Sequence, residues 1–160
     1  MKEAYETSIE MNYTEYKKMC QVLNGRRIII LAIIISGFLL ASGLFLLIMG
    51  SSVTGGFFLV LTAGYPLLLW GVFTRSVRKI FSSQKLIQNQ HIRYEFFEDH
   101  FIVCTDTSRA EIRYPMLYRI IETKTNFYLL LGPNQSFVVK KENCSGELTA
   151  FLGELRKRQK

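Results

Sequence analysis

The sequence predicts an α+β membrane protein: a two-helix transmembrane hairpin joined to a small cytoplasmic antiparallel β domain closed by a C-terminal helix. Three observations predict it. The 20 Lys+Arg and 13 Asp+Glu all lie in residues 1–27 and 75–160, so residues 28–74 carry no charge. That stretch is about twice the roughly 20 residues that cross a bilayer, and a glycine-rich break divides it. Beyond residue 90 come short alternating runs separated by turn residues, then one amphipathic helical pattern. The chain divides into residues 1–27, 28–74, 75–90 and 91–160.

In the first region Tyr5, Thr7, Ile9, Met11 and Tyr13 alternate with Glu6, Ser8, Glu10 and Asn12. Period two marks a half-buried strand. Thr14 suits a helix N-cap with Glu15 in the first turn, where a carboxylate meets the positive end of the helix dipole. Tyr16, Met19, Cys20 and Leu23 then fall on one helical face, and Asn24-Gly25 is expected to end a short interfacial helix. If both ends of the chain share a compartment, this strand can join the C-terminal sheet, with the hairpin inserted between.

The first span, about 28–49, opens after Arg26-Arg27, and the second, about 53–73, ends before Arg75. Between them Gly50-Ser51-Ser52-Val53-Thr54-Gly55-Gly56 reads as a tight turn. The turn carries no Lys or Arg and the outer flanks carry several, so both termini are expected in the cytoplasm of a multi-pass cell-membrane protein. Trp70 and Phe73 fall at the inner edge of the second span, where aromatic belts sit. A cleaved signal peptide is the rival reading of the first span; a 27-residue leader with four Glu, followed by a second span, argues against it. Ser36, Gly43 and Gly50 recur every seven residues, as do Gly64 and Gly71. A seam of small side chains lets helix backbones approach closely, although glycine is also simply common in membrane helices. Pro66 removes one backbone donor and should bend the second helix near Thr62. No Asp, Glu, Lys, Arg or His lies in either span. Ion relays and transport sites usually need one, so the hairpin reads as an anchor.

Residues 75–90 carry four basic and no acidic residues, and Val77, Ile80 and Phe81 extend an apolar stripe out of the second span. Six cations, Arg26, Arg27, Arg75, Arg78, Lys79 and Lys85, therefore ring the inner mouth of the hairpin. Each is worth about 1 kcal/mol near an anionic leaflet, which makes them lipid-headgroup candidates as well as topology signals.

In the last region strands are expected over 92–97, 101–105, 110–114, 117–123, 127–131 and 137–140. Glu98-Asp99, Lys124-Thr125-Asn126 and Gly132-Pro133-Asn134 supply turns. Ser145 can cap a final helix whose apolar stripe is Leu148, Phe151, Leu152 and Leu155. Seventy residues make a thin core, which a seventh strand from the N-terminus would thicken.

Two spans followed by "YEFFEDHFIV", "IRYPMLYRIIETKTNFYLLL", "SFVVKK" and a closing amphipathic helix resemble the YcxB-like family of small bacterial membrane proteins. The resemblance implies a pleckstrin-homology-like C-terminal domain, two curled antiparallel sheets closed by a helix. It brings no established chemistry and no site residues.

The residues themselves offer little chemistry. His91 and His100 have no partner at a metal-ligand spacing, and Cys20, Cys104 and Cys144 are far apart with no C-x-x-C. They read as reduced thiols, Cys104 in the core. No phosphate-cradling glycine loop or serine elbow is present, so no enzyme, cofactor or metal is expected. The net charge of +7 divides into +1 for residues 1–27, +4 for 75–90 and +2 for 91–160. A juxtamembrane excess points to anionic lipid rather than nucleic acid. The expected function is a non-catalytic binding module displayed at the inner leaflet. The alternative is an accessory, regulatory or self-immunity subunit that packs against another membrane protein or a second copy through the small-residue seam. A membrane enzyme assembled from Arg, His and Tyr at the inner leaflet is the third class.

Overall fold

A computed structural model describes residues 5–84, 88 and 90–158. The chain forms two compact units. One is Cys20–Ser83; the other combines the N-terminal residues through Met19 with Gln84 onward.

The first unit is a helical hairpin. Helix α1 runs Tyr13–Ile48 and helix α2 runs Ser52–Ser83. Both are long and apolar enough to cross a membrane. The connection is closed by backbone bonds from the Gly50 N–H to the Leu47 carbonyl (3.1 Å) and from the Ser51 N–H to the Leu46 carbonyl (3.0 Å). This is the paired pattern that ends a helix when the residue past its cap turns left-handed. Gly50 takes that role with φ 83°, which a Cβ would strain. The two helices come close together at Gly43 and Gly55. A Cβ on Gly55 would stand 2.7 Å from Leu47 Cγ and 2.9 Å from the Gly43 carbonyl oxygen, and one on Gly43 would stand 3.2 Å from the Gly55 carbonyl oxygen.

Helix α1 corrects two expectations. It is unbroken through Asn24-Gly25, which end nothing. A single glycine inside a helix costs about 1 kcal/mol, whereas ending the helix there would orphan four carbonyls. The N-cap is Asn12, not Thr14: Asn12 Oδ1 accepts the Glu15 N–H at 3.0 Å.

The second unit is a pair of antiparallel sheets. The first has the order β1 (Tyr5–Met11), β2 (Gln90–Phe96), β3 (His100–Cys104), β4 (Arg109–Arg113); the second has the order β5 (Arg119–Glu122), β6 (Asn126–Gly132), β7 (Gln135–Lys140). Strand β1 pairs with β2 from Tyr5↔Phe96 to Met11↔Gln90. It is also tied to the segment after β7. Thr7 Oγ1 donates to the Asn143 carbonyl at 2.9 Å, and Asn143 Nδ2 donates to the Ser8 carbonyl at 2.7 Å. The N-terminal strand thus bridges the two sheets on one side. Helix α3 (Gly146–Arg158) follows, its N-terminus capped by Ser145 Oγ, which accepts the Leu148 N–H at 3.1 Å.

The core lies between the sheets and α3. Tyr94, Phe96, Phe101, Phe127, Tyr128, Leu129, Val138, Val139, Leu148 and Leu152 are fully buried. Rings run through it in contact: Phe96 and Phe101 stack at 5.5 Å, and Phe101 meets Phe137 edge-on at 5.9 Å. Alternation along β3 buries Phe101 and Val103, which leaves Cys104 half-buried on the other face rather than in the core as the sequence suggests.

Candidate functional site

Five of the six cations expected at the hairpin mouth are described: Arg26 and Arg27 on α1, and Arg75, Arg78 and Lys79 on α2. Lys85 lies outside the described residues. Because the hairpin is antiparallel, Arg26 and Arg75 stand at nearly the same distance from the Gly50 turn, about 35 Å along their helices. All five are exposed, and among the described residues none is engaged in an ion pair. Several cations of the β unit behave otherwise. Lys141 Nζ donates to Glu122 at 2.7 Å, Arg156 to the same carboxylate, Lys140 to Glu142, and Lys18 to Glu15 at 2.8 Å. Residues 28–74 carry no acidic side chain to set against the five hairpin cations.

The small residues separate into kinds. Gly43 makes the close helix contact, with Gly55, absent from the seven-residue repeat, as its partner. Gly50 forms the turn. Gly64 and Gly71 have open space where a Cβ would stand, so they serve no packing within the chain. Ser36 lines a cavity of about 390 Å³ in the hairpin, with Ile28, Ala32, Ile33, Thr62, Pro66 and Trp70 among its walls. Its Oγ is buried without a hydrogen-bond partner. Pro66 lies inside α2 and has no N–H to give to the Thr62 carbonyl, while Thr62 Oγ1 donates to the Phe58 carbonyl at 2.9 Å.

The β unit holds a buried polar node that the sequence does not announce. Glu15 is 4% exposed and Asn126 0%. Asn126 Nδ2 donates to Glu15 Oε2 at 2.5 Å and to the Tyr128 hydroxyl at 3.3 Å. Burial raises the Glu15 pKa, but hydrogen bonds from Lys18 and Asn126 and the charges of Lys18 and Lys140 more than offset it, so the group is held below the usual carboxylate value. A buried carboxylate must have such partners. The node pins the first turn of α1 to the start of β6. The sequence pattern places Asn126 in a turn and Glu15 on a helix dipole; their joint burial depends on residues 111 apart.

Other polar groups are locally tied. His100 Nδ1 and Asp99 Oδ1 lie 2.6 Å apart, and the imidazole stacks on Phe97 at 4.7 Å. That hydrogen bond lowers the Asp99 pKa. The Cys144 thiol donates to the Lys140 carbonyl at 3.2 Å, and burial raises its pKa, which keeps it a thiol. Among the described residues no three His, Cys, Asp or Glu gather into a metal-binding group.

Residues 96–155 match the family model described as YcxB-like protein. The YcxB-like resemblance read from the sequence thus stands over that stretch, from the end of β2 into α3. No curated protein and no solved structure matches the chain.

Proposed function

We propose that this chain is a two-span integral membrane protein that holds a non-catalytic, pleckstrin-like binding module at the cytoplasmic leaflet. One observation carries the reading: β1, which precedes the hairpin, pairs residue by residue with β2, which follows it. Two strands of one sheet lie on one side of a membrane. Helices between them that enter the bilayer must therefore cross and return, which puts both termini on that side. The positive-inside rule makes it the cytoplasm. Large side chains exposed on the hairpin, such as Phe38 (72%), Val53 (89%) and Leu67 (76%), suit hydrocarbon as solvent.

The five unpaired cations then sit at the anionic surface, each worth about 1 kcal/mol of attraction. A cysteine introduced at Ser51 of a cysteine-free variant should react with a membrane-impermeant maleimide added outside intact cells, and one at Ser108 should not. Labelling of Ser108→Cys from outside overturns the orientation. Purified from cells in native nanodiscs, the protein should carry an excess of anionic lipid that the R75E/R78E/K79E variant loses while its β unit melts unchanged.

The second reading is the accessory subunit. Its supporting observation is Gly64 and Gly71, small residues that the chain itself leaves uncovered. A stoichiometric protein partner lost on Gly64→Leu would favour it.

A further inference from the structure

Among the described residues, the β unit leaves one sheet edge uncovered. Strand β4 is the outer strand of its sheet, and Arg109, Ala110, Glu111 and Arg113 are all exposed. Ala110 shares the inward phase of Ile112, yet only Ile112 is buried, so at Ala110 the edge is open on both faces. The hydrogen-bond phase of the strand follows from its two ends. The Thr105 N–H donates to the Ser108 carbonyl at 2.8 Å, and the Tyr114 N–H donates to the Asp99 carbonyl at 3.3 Å. Hydrogen-bonded and non-hydrogen-bonded pairs alternate along an antiparallel ladder. Ser108, Ala110, Ile112 and Tyr114 therefore bond towards β3, and the N–H and C=O groups of Arg109 and Glu111 point away from the sheet. An unpaired edge of this kind is a template for a further strand.

The outward side chains say which strand fits. The register sets Glu6, Glu95, Ile102 and Glu111 side by side across the outer face of the sheet, and Ser8, Arg93, Cys104 and Arg109 side by side in the next row. One row thus ends at the edge on a carboxylate, and its neighbour ends on a guanidinium. Arg109 also reaches Glu95 of its own chain at 3.4 Å, but it stays 66% exposed and can serve a second carboxylate. If the added strand is β4 of a second copy, antiparallel and centred on Ala110, Arg109 of each copy faces Glu111 of the other. Each acidic row then runs on into an arginine row. The same pair centred on Glu111 would set Glu111 against Glu111 and Arg109 against Arg113, and like charges directly opposite are destabilising. Centred on Ile112 it would set Arg109 against Pro115, which has no N–H for the ladder.

We propose that β4 pairs antiparallel with β4 of a second copy about a two-fold axis at Ala110, which makes one continuous sheet across a homodimer. Arg109 and Glu111 of opposite copies exchange backbone hydrogen bonds and pair their charges, so a single patch is complementary to itself. Ala110 suits the axis. There it meets its own copy in a non-hydrogen-bonded pair, where Cα atoms stand only about 4.5 Å apart. This interface is separate from the small-residue seam, which lies in the hairpin, and it stands whether the hairpin is an anchor or binds another protein.

The test uses the full-length protein in detergent micelles. Light scattering should find the wild type at twice the chain mass, dissociating on dilution. R109E and E111R should each weaken the dimer about tenfold, and R109E/E111R, which exchanges the two charges, should restore it with an unchanged melt of the β unit. In a cysteine-free background, A110C should form a covalent dimer on oxidation with copper phenanthroline, because the expected Cα spacing suits a disulfide, whereas E111C should not. A110C leaves the charges intact, so it tests the pairing even where a reversal disturbs the fold. A monomeric wild type, no cross-link through A110C, indifference to both reversals, or no rescue by R109E/E111R overturns the proposal. A cross-link through E111C but not A110C overturns the register. A dimer that is lost on Gly64→Leu and kept in R109E overturns the proposal in favour of the hairpin seam.

Discussion

The two units handle the same kinds of side chain in opposite ways. In the hairpin, several phenylalanines and leucines point outward and two glycines, Gly43 and Gly55, make a close contact. In the β unit, the largest buried side chains are aromatic, although Tyr118 is exposed, and charges are outside, apart from one buried carboxylate partnered by Lys18 and Asn126. On the proposed membrane reading, the difference lies in the solvent each faces. Water drives large apolar groups together, whereas hydrocarbon gives no such drive, so membrane helices associate through close backbone approach. Where the hairpin leaves polar atoms unpaired, as at Ser36 Oγ and Thr74 Oγ1, a low dielectric sets the cost.

Removing the N-terminal strand should break the comparison most severely. Deletion of residues 2–11 strips β2 of one of its two partners and takes Ile9 and Met11 out of the core. The β unit should lose its cooperative melt in circular dichroism; retention of the wild-type transition would show that β1 is an ornament. Next in size is the paired truncation Phe101→Ala and Phe38→Ala. The first leaves a cavity among stacked rings and should cost about 3–5 kcal/mol. The second faces outward and should stay within about 0.5 kcal/mol in nanodiscs. Equal effects would mean that the hairpin is also packed by burial.

Gly55→Leu sharpens the comparison on the hairpin side. Its side chain would collide with Leu47 and the Gly43 carbonyl, so it should splay the helices and increase the distance between spin labels at Leu40 and Leu59, while Gly64→Leu should not. On the β side, Asn126→Ala removes a donor from the buried Glu15 and should cost about 2 kcal/mol in urea unfolding.

The smallest effect is acid sensitivity. Glu15 and Glu122 are both held below the usual carboxylate value, Glu122 chiefly by its hydrogen bond from Lys141 and also by that from Arg156. The unfolded chain then binds protons before the native one does. Their stabilisation is therefore complete above the ordinary value of 4.5 and is lost as the pH falls through the lowered native values. Glu122→Gln should flatten the loss of β-unit stability between about pH 5 and pH 3. Residues 28–74 have no group that titrates in acid, so helicity of the hairpin in nanodiscs should not change over that range.

Much of the architecture is written locally. A charge-free run of membrane length, the period-two strands and the Ser145 cap depend on neighbours in sequence, and they appear within a few residues of where the pattern puts them. Glu98-Asp99 turns and Gly132-Pro133-Asn134 turns for reasons internal to those residues. The basic ring at the hairpin mouth is legible in the same way, because charge and helical rise are properties of the chain alone.

The tertiary structure decided everything that joins distant residues. Asn126 reads as a turn residue until Glu15, on another element, shares its burial. Gly55 reads as part of a tight turn until Gly43 lies across from it, while Gly64 and Gly71, equally small, meet nothing in the chain. Cys104 reads as core until the alternation of β3 is phased by Phe101 and Val103. Composition and periodicity set which elements form and which solvent each prefers, since those follow from transfer and propensity of single residues. Which polar groups are buried together, and which glycine is a contact rather than a gap, follow from pairing geometry, and that exists only once the elements have met.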